Sequence, residues 1–334
     1  MKTANTPHPT LSPAARGDHI GRSGREFPLP SGAEDKGEAD RQTPRRTRID
    51  WSAYAFIAPA LLILAIANAY PIVRLFTLSV QETDVLRNES SWVGFANFSA
   101  LLHDSVFWKS ARNTILYSLV VVPGLLVVSL ALAFACQPMG ERLQRFMRAA
   151  LYLPGVVSVV VTGMVWTRIY DPQFGVLNHA LAAIGLHGPT WLGGERTALL
   201  AIGLMAILSG LGTPFILFAT AIHAVPKEYY EAAEIDGAGS MARFFHVTLP
   251  LIRPTVLYLV IILTIGSFQA FAAIFVMTEG GPNLATLTSV YLVYEEAFRY
   301  FDFGRASALS VILMAALALM ALAQFKWLST EVEY

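Results

Sequence analysis

Acidic, basic and glycine residues crowd into one short passage, EAAEIDGAGSMARFFHVTLP at 231–250, with a long apolar run on each side. Glu231, Glu234 and Asp236 precede Gly237, and Arg243 and His246 follow it. Pro226 suits the first turn of a helix, and Glu228, Glu231 and Glu234 favour its positive end. Gly237 supplies a left-handed stop, Ser240 caps a second short helix, and Pro250 closes it. Two helices of about two turns each, set at a sharp angle, are too short to be stable alone. On the first, Tyr229, Ala232, Ala233 and Asp236 fall on one face at i, i+3, i+4, i+7 spacing. Alanines on such a face let another surface come close, and the acids give it polar anchors. On the second, Phe244 and Phe245 offer an apolar plug for a groove. The chemistry on offer is docking. The pattern leaves open whether the element docks on a partner or packs beneath its own bundle.

Patterns for bond-making are missing from the sequence. It holds no GxxxxGK[ST], HExxH, CxxC or GxSxG, and its seven histidines are scattered. The chain therefore has no P-loop of its own, and neither a catalytic nucleophile nor a metal site has support. The single cysteine, Cys136, excludes an internal disulfide and reads as a small apolar residue at the end of an apolar run.

The elements that must carry the charged passage are set by composition. Of 334 residues, 54% are hydrophobic and 14% charged, against roughly 25% charged in soluble domains. Mean hydropathy is +0.51. The chain is expected to be an all-α integral membrane protein in contact with the lipid bilayer. Its net charge of zero points to no nucleic-acid partner. Residues 1–50 are polar and rich in Pro and Gly, so they read as a disordered cytoplasmic tail, and 51–334 as the membrane domain.

About six segments are long enough to cross a hydrocarbon core of ~30 Å. They run over 54–80, 114–136, 149–170, 198–221, 255–278 and 304–325, with the charged loop at 225–254. Arg41, Arg45, Arg46 and Arg48 stand just before the first span and tip an otherwise near-balanced distribution, putting both termini in the cytoplasm. That orientation makes 225–254 cytoplasmic. The loop at 81–113 alternates aromatics with polar residues and is expected to hold short interfacial helices. Arg74 and Arg168 lie near span ends and can snorkel. Intramembrane acids are almost lacking, which argues against proton coupling and favours a neutral solute or an external energy source.

The charged passage carries a resemblance. EAAEIDGA, with Phe245, Leu249-Pro250 and Pro254 after it, resembles the EAA motif of permease subunits from binding-protein-dependent ABC importers. It is similar to the carbohydrate-uptake branch that includes the maltose and glycerol-3-phosphate permeases. YPIVRLFTLSV (70–80), DPQFGVLNHAL (171–181), TEGGPNLATLT (278–288) and GRASALSVIL (304–313) match in order, so the resemblance covers about residues 50–334. Ala272 and His223 depart from it, standing where many relatives carry an acid and a Gln.

The resemblance implies a second, related permease subunit, two cytoplasmic ATPase subunits that dock on the EAA loops, and an external solute-binding protein. It implies that ATP and Mg are bound by the ATPase, with no cofactor on this chain. The docking set would be Glu231, Ala232, Ala233, Asp236, Gly237, Ala238, Phe244, Phe245, Leu249 and Pro250. Glu231 would meet a basic side chain of the ATPase, and Gly237 would make the turn. Candidate liners of a path near mid-membrane are Trp166, Ser267, Phe268, Gln269 and Phe271, because sugars stack on aromatics and bond to amides and hydroxyls. Ordinary helix packing accounts equally well for each of the five. A self-sufficient secondary carrier or channel with a merely structural loop is the rival reading.

Overall fold

The computed structural model describes residues 51–84 and 89–328. The tail at 1–50, with its arginine cluster, lies outside the described residues. Two units are distinguished, Met1–Phe56 and Ile57–Tyr334. Only the start of the first helix belongs to the former, and all packing described below lies within the latter.

Helix α1 (Trp51–Leu64) passes through a π-helical turn at Ala65–Ala69 into α2 (Tyr70–Ser79). Its apolar side chains, among them Leu61, Leu62, Ile63 and Ile66, are exposed, as suits a lipid environment. Strands β1 (Gln81–Asp84) and β2 (Glu89–Trp92) pair antiparallel, Gln81 opposite Trp92 and Asp84 opposite Glu89. The 81–113 loop thus opens with a hairpin, and the short helix expected in it comes next. Helix α3 (Ala96–His103) follows, and Asp104 then caps α4 (Ser105–Cys136) by accepting a 2.8 Å hydrogen bond from the Val106 amide. Because of that cap, α4 begins nine residues before the apolar run at 114, and its 32 residues reach about 48 Å.

Among the described residues, three helices are long and apolar enough to cross a membrane, or six if each of three bent pairs counts as one span. The first pair is α5 (Glu141–Val156) and α6 (Val159–Ile169), bent by 98°. Pro154 lacks the amide a helix needs there, and Val157 and Ser158 go extended. Short α7 (Val176–Ala183) precedes the second pair, α8 (Ala198–Gly210) and α9 (Gly212–Ala224), bent by 49°. At this bend a Cβ on Gly212 would lie 2.6 Å from Tyr152 Cα and 2.7 Å from the Leu151 carbonyl oxygen. The backbones of α5 and α9 thus touch, a contact only glycine permits.

The charged passage forms α10 (Lys227–Ile235) and α11 (Ser240–Arg243), then a π-helical turn at Phe244–Thr248 and α12 (Leu249–Leu251). A 70° bend leads into α13 (Arg253–Phe268). Beyond a break at 269–271 come α14 (Ala272–Met277), α15 (Ser289–Tyr294) with a π-helical turn at Glu295–Arg299, and α16 (Phe303–Leu328). One apolar core, with Ile202, Ile274, Leu287 and Tyr291 at its centre, holds α4, α8, α14, α15 and α16 together. A second, around Phe215, Phe218, Ile252 and Leu259, joins the far end of α4 to α9 and α13.

Candidate coupling element and translocation cavity

The turn at Gly237 is a Schellman motif. The Ala238 amide donates to the Ala233 carbonyl at 2.9 Å and the Gly237 amide to Glu234 at 3.0 Å. Gly237 itself sits at φ +78°, a conformation that costs an L side chain about 1–2 kcal/mol. Arg243 Nη1 donates to Glu234 Oε2 at 2.9 Å across the turn, clasping the second helix to the first. With Glu234 largely exposed this pair contributes little on its own.

Two local expectations are corrected. The cap position of the second helix is Gly239, and Ser240 begins the helix without a capping hydrogen bond. Pro250 does not close it either. Helical structure continues from Ser240 to Leu251, because the π-helical turn widens the backbone just ahead of Pro250. There the Leu249 amide reaches back to the Phe244 carbonyl, and the missing proline amide and its ring are accommodated.

Glu231, Ala232, Asp236 and Gly237 are exposed, and Ala233 and Ala238 half-buried. Phe245 is 55% exposed. Phe244 is turned toward its own bundle instead, its ring centroid 4.7 Å from that of Phe134 on α4. One of the two phenylalanines is thus available as a plug; the other anchors the element. Leu249 and Pro250 are half-buried. The Tyr230 hydroxyl lies 3.1 Å from Thr248 Oγ1, tying α10 to the segment that enters α13.

The break at 269–271 lies at the other end of α13. Thr288 donates to the Ala270 carbonyl at 3.0 Å, occupying an acceptor that a continuous helix would have kept for itself. Irregular backbone within an apolar span is tolerated where it is buried in protein or lines a cavity. Here it lines one of about 390 Å³, formed by Gln269, Ala270 and Phe271 with Tyr117, Thr162 and Ser209. Of the five path candidates, Gln269 and Phe271 line this cavity. Ser267 and Phe268 are buried, and Ser267 shares a 2.7 Å hydrogen bond with Ser118 on α4. Trp166 packs instead against Tyr170, centroids 5.2 Å apart, and Tyr170 against Trp191. Phe271 continues into an aromatic cluster with Phe275 at 5.4 Å and Tyr294 at 5.2 Å.

With that architecture described, comparison with known families is decisive: the model of the binding-protein-dependent transport system inner membrane component matches residues 126–332. The chain belongs to this family. It is a multi-pass inner-membrane component of a transport system, and a transport subunit rather than an enzyme. The sulfoquinovosyl glycerol transport system permease protein of Agrobacterium fabrum is 31% identical to it over 282 residues, covering 83% of this chain and 91% of the relative. The sn-glycerol-3-phosphate transport system permease protein of Yersinia pestis is 34% identical over 287 residues, covering 85% and 96%. The arabinooligosaccharides transport system permease protein of Bacillus subtilis is 29% identical over 307 residues, covering 91% and 96%. The fold is shared with the crystal structure of a bacterial ABC transporter that imports the acidic polysaccharide alginate. There the TM-score is 0.75 at 20% identity, over 85% of this chain and 97% of that one.

Sequence reading of the permease missed Tyr117, Thr162 and Ser209 as cavity liners. They come from α4, α6 and α8, and each looks like an ordinary polar interruption of an apolar run. No spacing rule joins them. Tyr117, placed one helical turn from the buried Asn113 and Thr114, carried the only local hint.

Proposed function

We propose that the chain is the substrate-translocating permease subunit of an ATP-driven importer for a carbohydrate-type solute: a sugar, oligosaccharide, polyol or sugar phosphate. The solute is delivered by an external binding protein. ATP and Mg are held by two separate cytoplasmic ATPase subunits, and a second, related permease completes the path. Both termini face the cytoplasm. Glu231, Ala232, Asp236 and Gly237 form the face offered to the ATPase, with Glu231 meeting a basic side chain there.

One observation carries this reading. The exposed two-helix element joins α13 at the 70° bend after Leu251, and the opposite end of α13 breaks at the cavity. A rotation imposed on the element and passed across that bend would travel along α13 to Gln269 and Phe271, as alternating access requires. The carbohydrate class is supported by the solutes named for the relatives, and by a cavity that offers an amide and hydroxyls beside an aromatic ring.

The test is reconstitution in proteoliposomes. Uptake is expected to need ATP, the ATPase subunits and the binding protein together. Solute movement through this chain with no ATPase present would sink the proposal in favour of a self-sufficient carrier or channel.

A further inference from the structure

A second cavity, of about 510 Å³, opens near the Ser105 end of α4, far from the coupling element at the Cys136 end. Lys109 and Arg112 reach it from α4 and Arg196 from the segment before α8, against a single carboxylate, Glu195. Three positive groups and one negative leave an excess of two positive charges. Glu195 accepts a 3.1 Å hydrogen bond from the Asn283 side chain, and Lys109 donates to the Asn283 carbonyl at 2.6 Å. Among the described residues, the side chains of Arg112 and Arg196, both exposed, make neither an ion pair nor a hydrogen bond. Two guanidinium groups left unpaired beside one cavity form a ready-made fork for an oxyanion. Low-dielectric walls focus their field into the opening.

Tyr117 supplies the second observation. It is 5% exposed, its hydroxyl makes no hydrogen bond, and it lines both this cavity and the one at 269–271. Its ring is buried while its unpaired hydroxyl is free to meet a solute or water. It stands about 7.5 Å along α4 from Arg112 at ~1.5 Å per residue and borders both cavities.

We propose that this basic cavity captures a solute bearing an anionic group: a carboxylate, phosphate monoester or sulfonate on a polyhydroxy body. Arg112 and Arg196 hold the anion, Lys109 adds to the field, and Tyr117 receives the hydroxyl-bearing part on its way to Gln269 and Phe271. The assignment rests on the carbohydrate-permease reading and narrows it to acidic or phosphorylated members.

The experiment probes the cavity without relying on transport. Leu116 also lines it, so Leu116→Cys in the full chain, assembled with its partner subunits in nanodiscs, places a thiol among the cations. Wild type reports any background from Cys136. Labelling by the anionic reagent methanethiosulfonate ethylsulfonate should outpace labelling by its cationic trimethylammonium counterpart by on the order of ten-fold. Adding Arg112→Gln and Arg196→Gln should bring that ratio close to one. Millimolar sn-glycerol 3-phosphate or glucuronate should slow labelling, and glycerol or glucose should not.

A ratio near one in the Leu116→Cys chain, or one untouched by the arginine substitutions, overturns the proposal. So does protection by phosphatidylglycerol nanodiscs with no effect of soluble anions, which would make the cations a lipid anchor. Protection by the binding protein alone would make them a protein-docking face, with the same result. Failure of the importer reading appears separately, in ATP-dependent uptake.

Discussion

The phenolic hydroxyl of Tyr230 lies 3.1 Å from the hydroxyl of Thr248, a fully buried side chain. This bond crosses from α10 to the segment that enters α13, which on the proposed reading is where the motion of a docked ATPase passes toward the membrane. A hydrogen bond of this kind is worth about 1 kcal/mol net, roughly five-fold in an equilibrium. Tyr230→Phe is expected to reduce ATP-driven uptake several-fold with the amount of protein in the membrane unchanged. Equal uptake per molecule, measured against an immunoblot standard, would remove the bond from the coupling route.

Glu231→Lys reverses a charge on an exposed face, and Gly237→Pro demands φ near −65° where the chain holds +78°. Both substitutions are expected to abolish co-purification with the ATPase subunits while membrane insertion continues. Gly237→Ala meets no side chain or backbone within 4 Å, so only its backbone conformation opposes it and an intermediate loss is expected. Retained co-purification in either of the first two variants would contradict the docking role.

Gly212 and Gly266 form a matched pair. A methyl at Gly212 runs into the α5 backbone, and overpacking of that kind costs about 1–3 kcal/mol. Gly212→Ala should lower the unfolding temperature in detergent. A methyl at Gly266 meets nothing within 4 Å and enters the mid-span cavity. Gly266→Ala should keep or raise stability, since alanine is the better helix former, yet change the uptake rate. Equal thermal effects of the two would refute this reading of their packing.

Glu296 and Asp104 both face Arg305, with Arg305 Nη2 3.3 Å from Glu296 Oε1. Burial pushes the Glu296 carboxyl up from its ordinary 4.5, Arg305 offsetting only part of the effect. A raised carboxyl gives its share of stability below its unfolded pKa and loses it as pH rises through the folded value. Stability should therefore fall as pH climbs from about 4.5 into the raised range, and Glu296→Gln should flatten that slope. Unfolding temperatures taken across this window check it, and an unaltered slope in the variant would rule Glu296 out as the group responsible.

The charged passage was legible because its signals are local. Only glycine tolerates the left-handed turn at 237, and the i, i+3, i+4 spacing of Tyr229, Ala232 and Ala233 needs nothing beyond one helix. Ser240 and Pro250 were read less well. The cap fell to Gly239, and a π-helical turn absorbed the proline. The cavity residues were half legible. Gln269 and Phe271 stood out as a polar and an aromatic group near the end of a span, whereas Ser267, equally polar, is occupied by Ser118.

By itself, the sequence determined that this chain lies in a membrane and where its charged helical turn falls. Those properties follow from composition and from contacts within one turn of helix. Only the tertiary structure decided where the spans bend and which polar groups face open space. The run from Arg253 to Met277 has no proline or glycine at 269–271 to announce a break. Thr288, folded back from seventeen residues beyond Phe271, takes the Ala270 carbonyl and opens the helix there. Likewise Tyr117 borders two cavities because α4 passes both, a relation that arises only once the helices have packed.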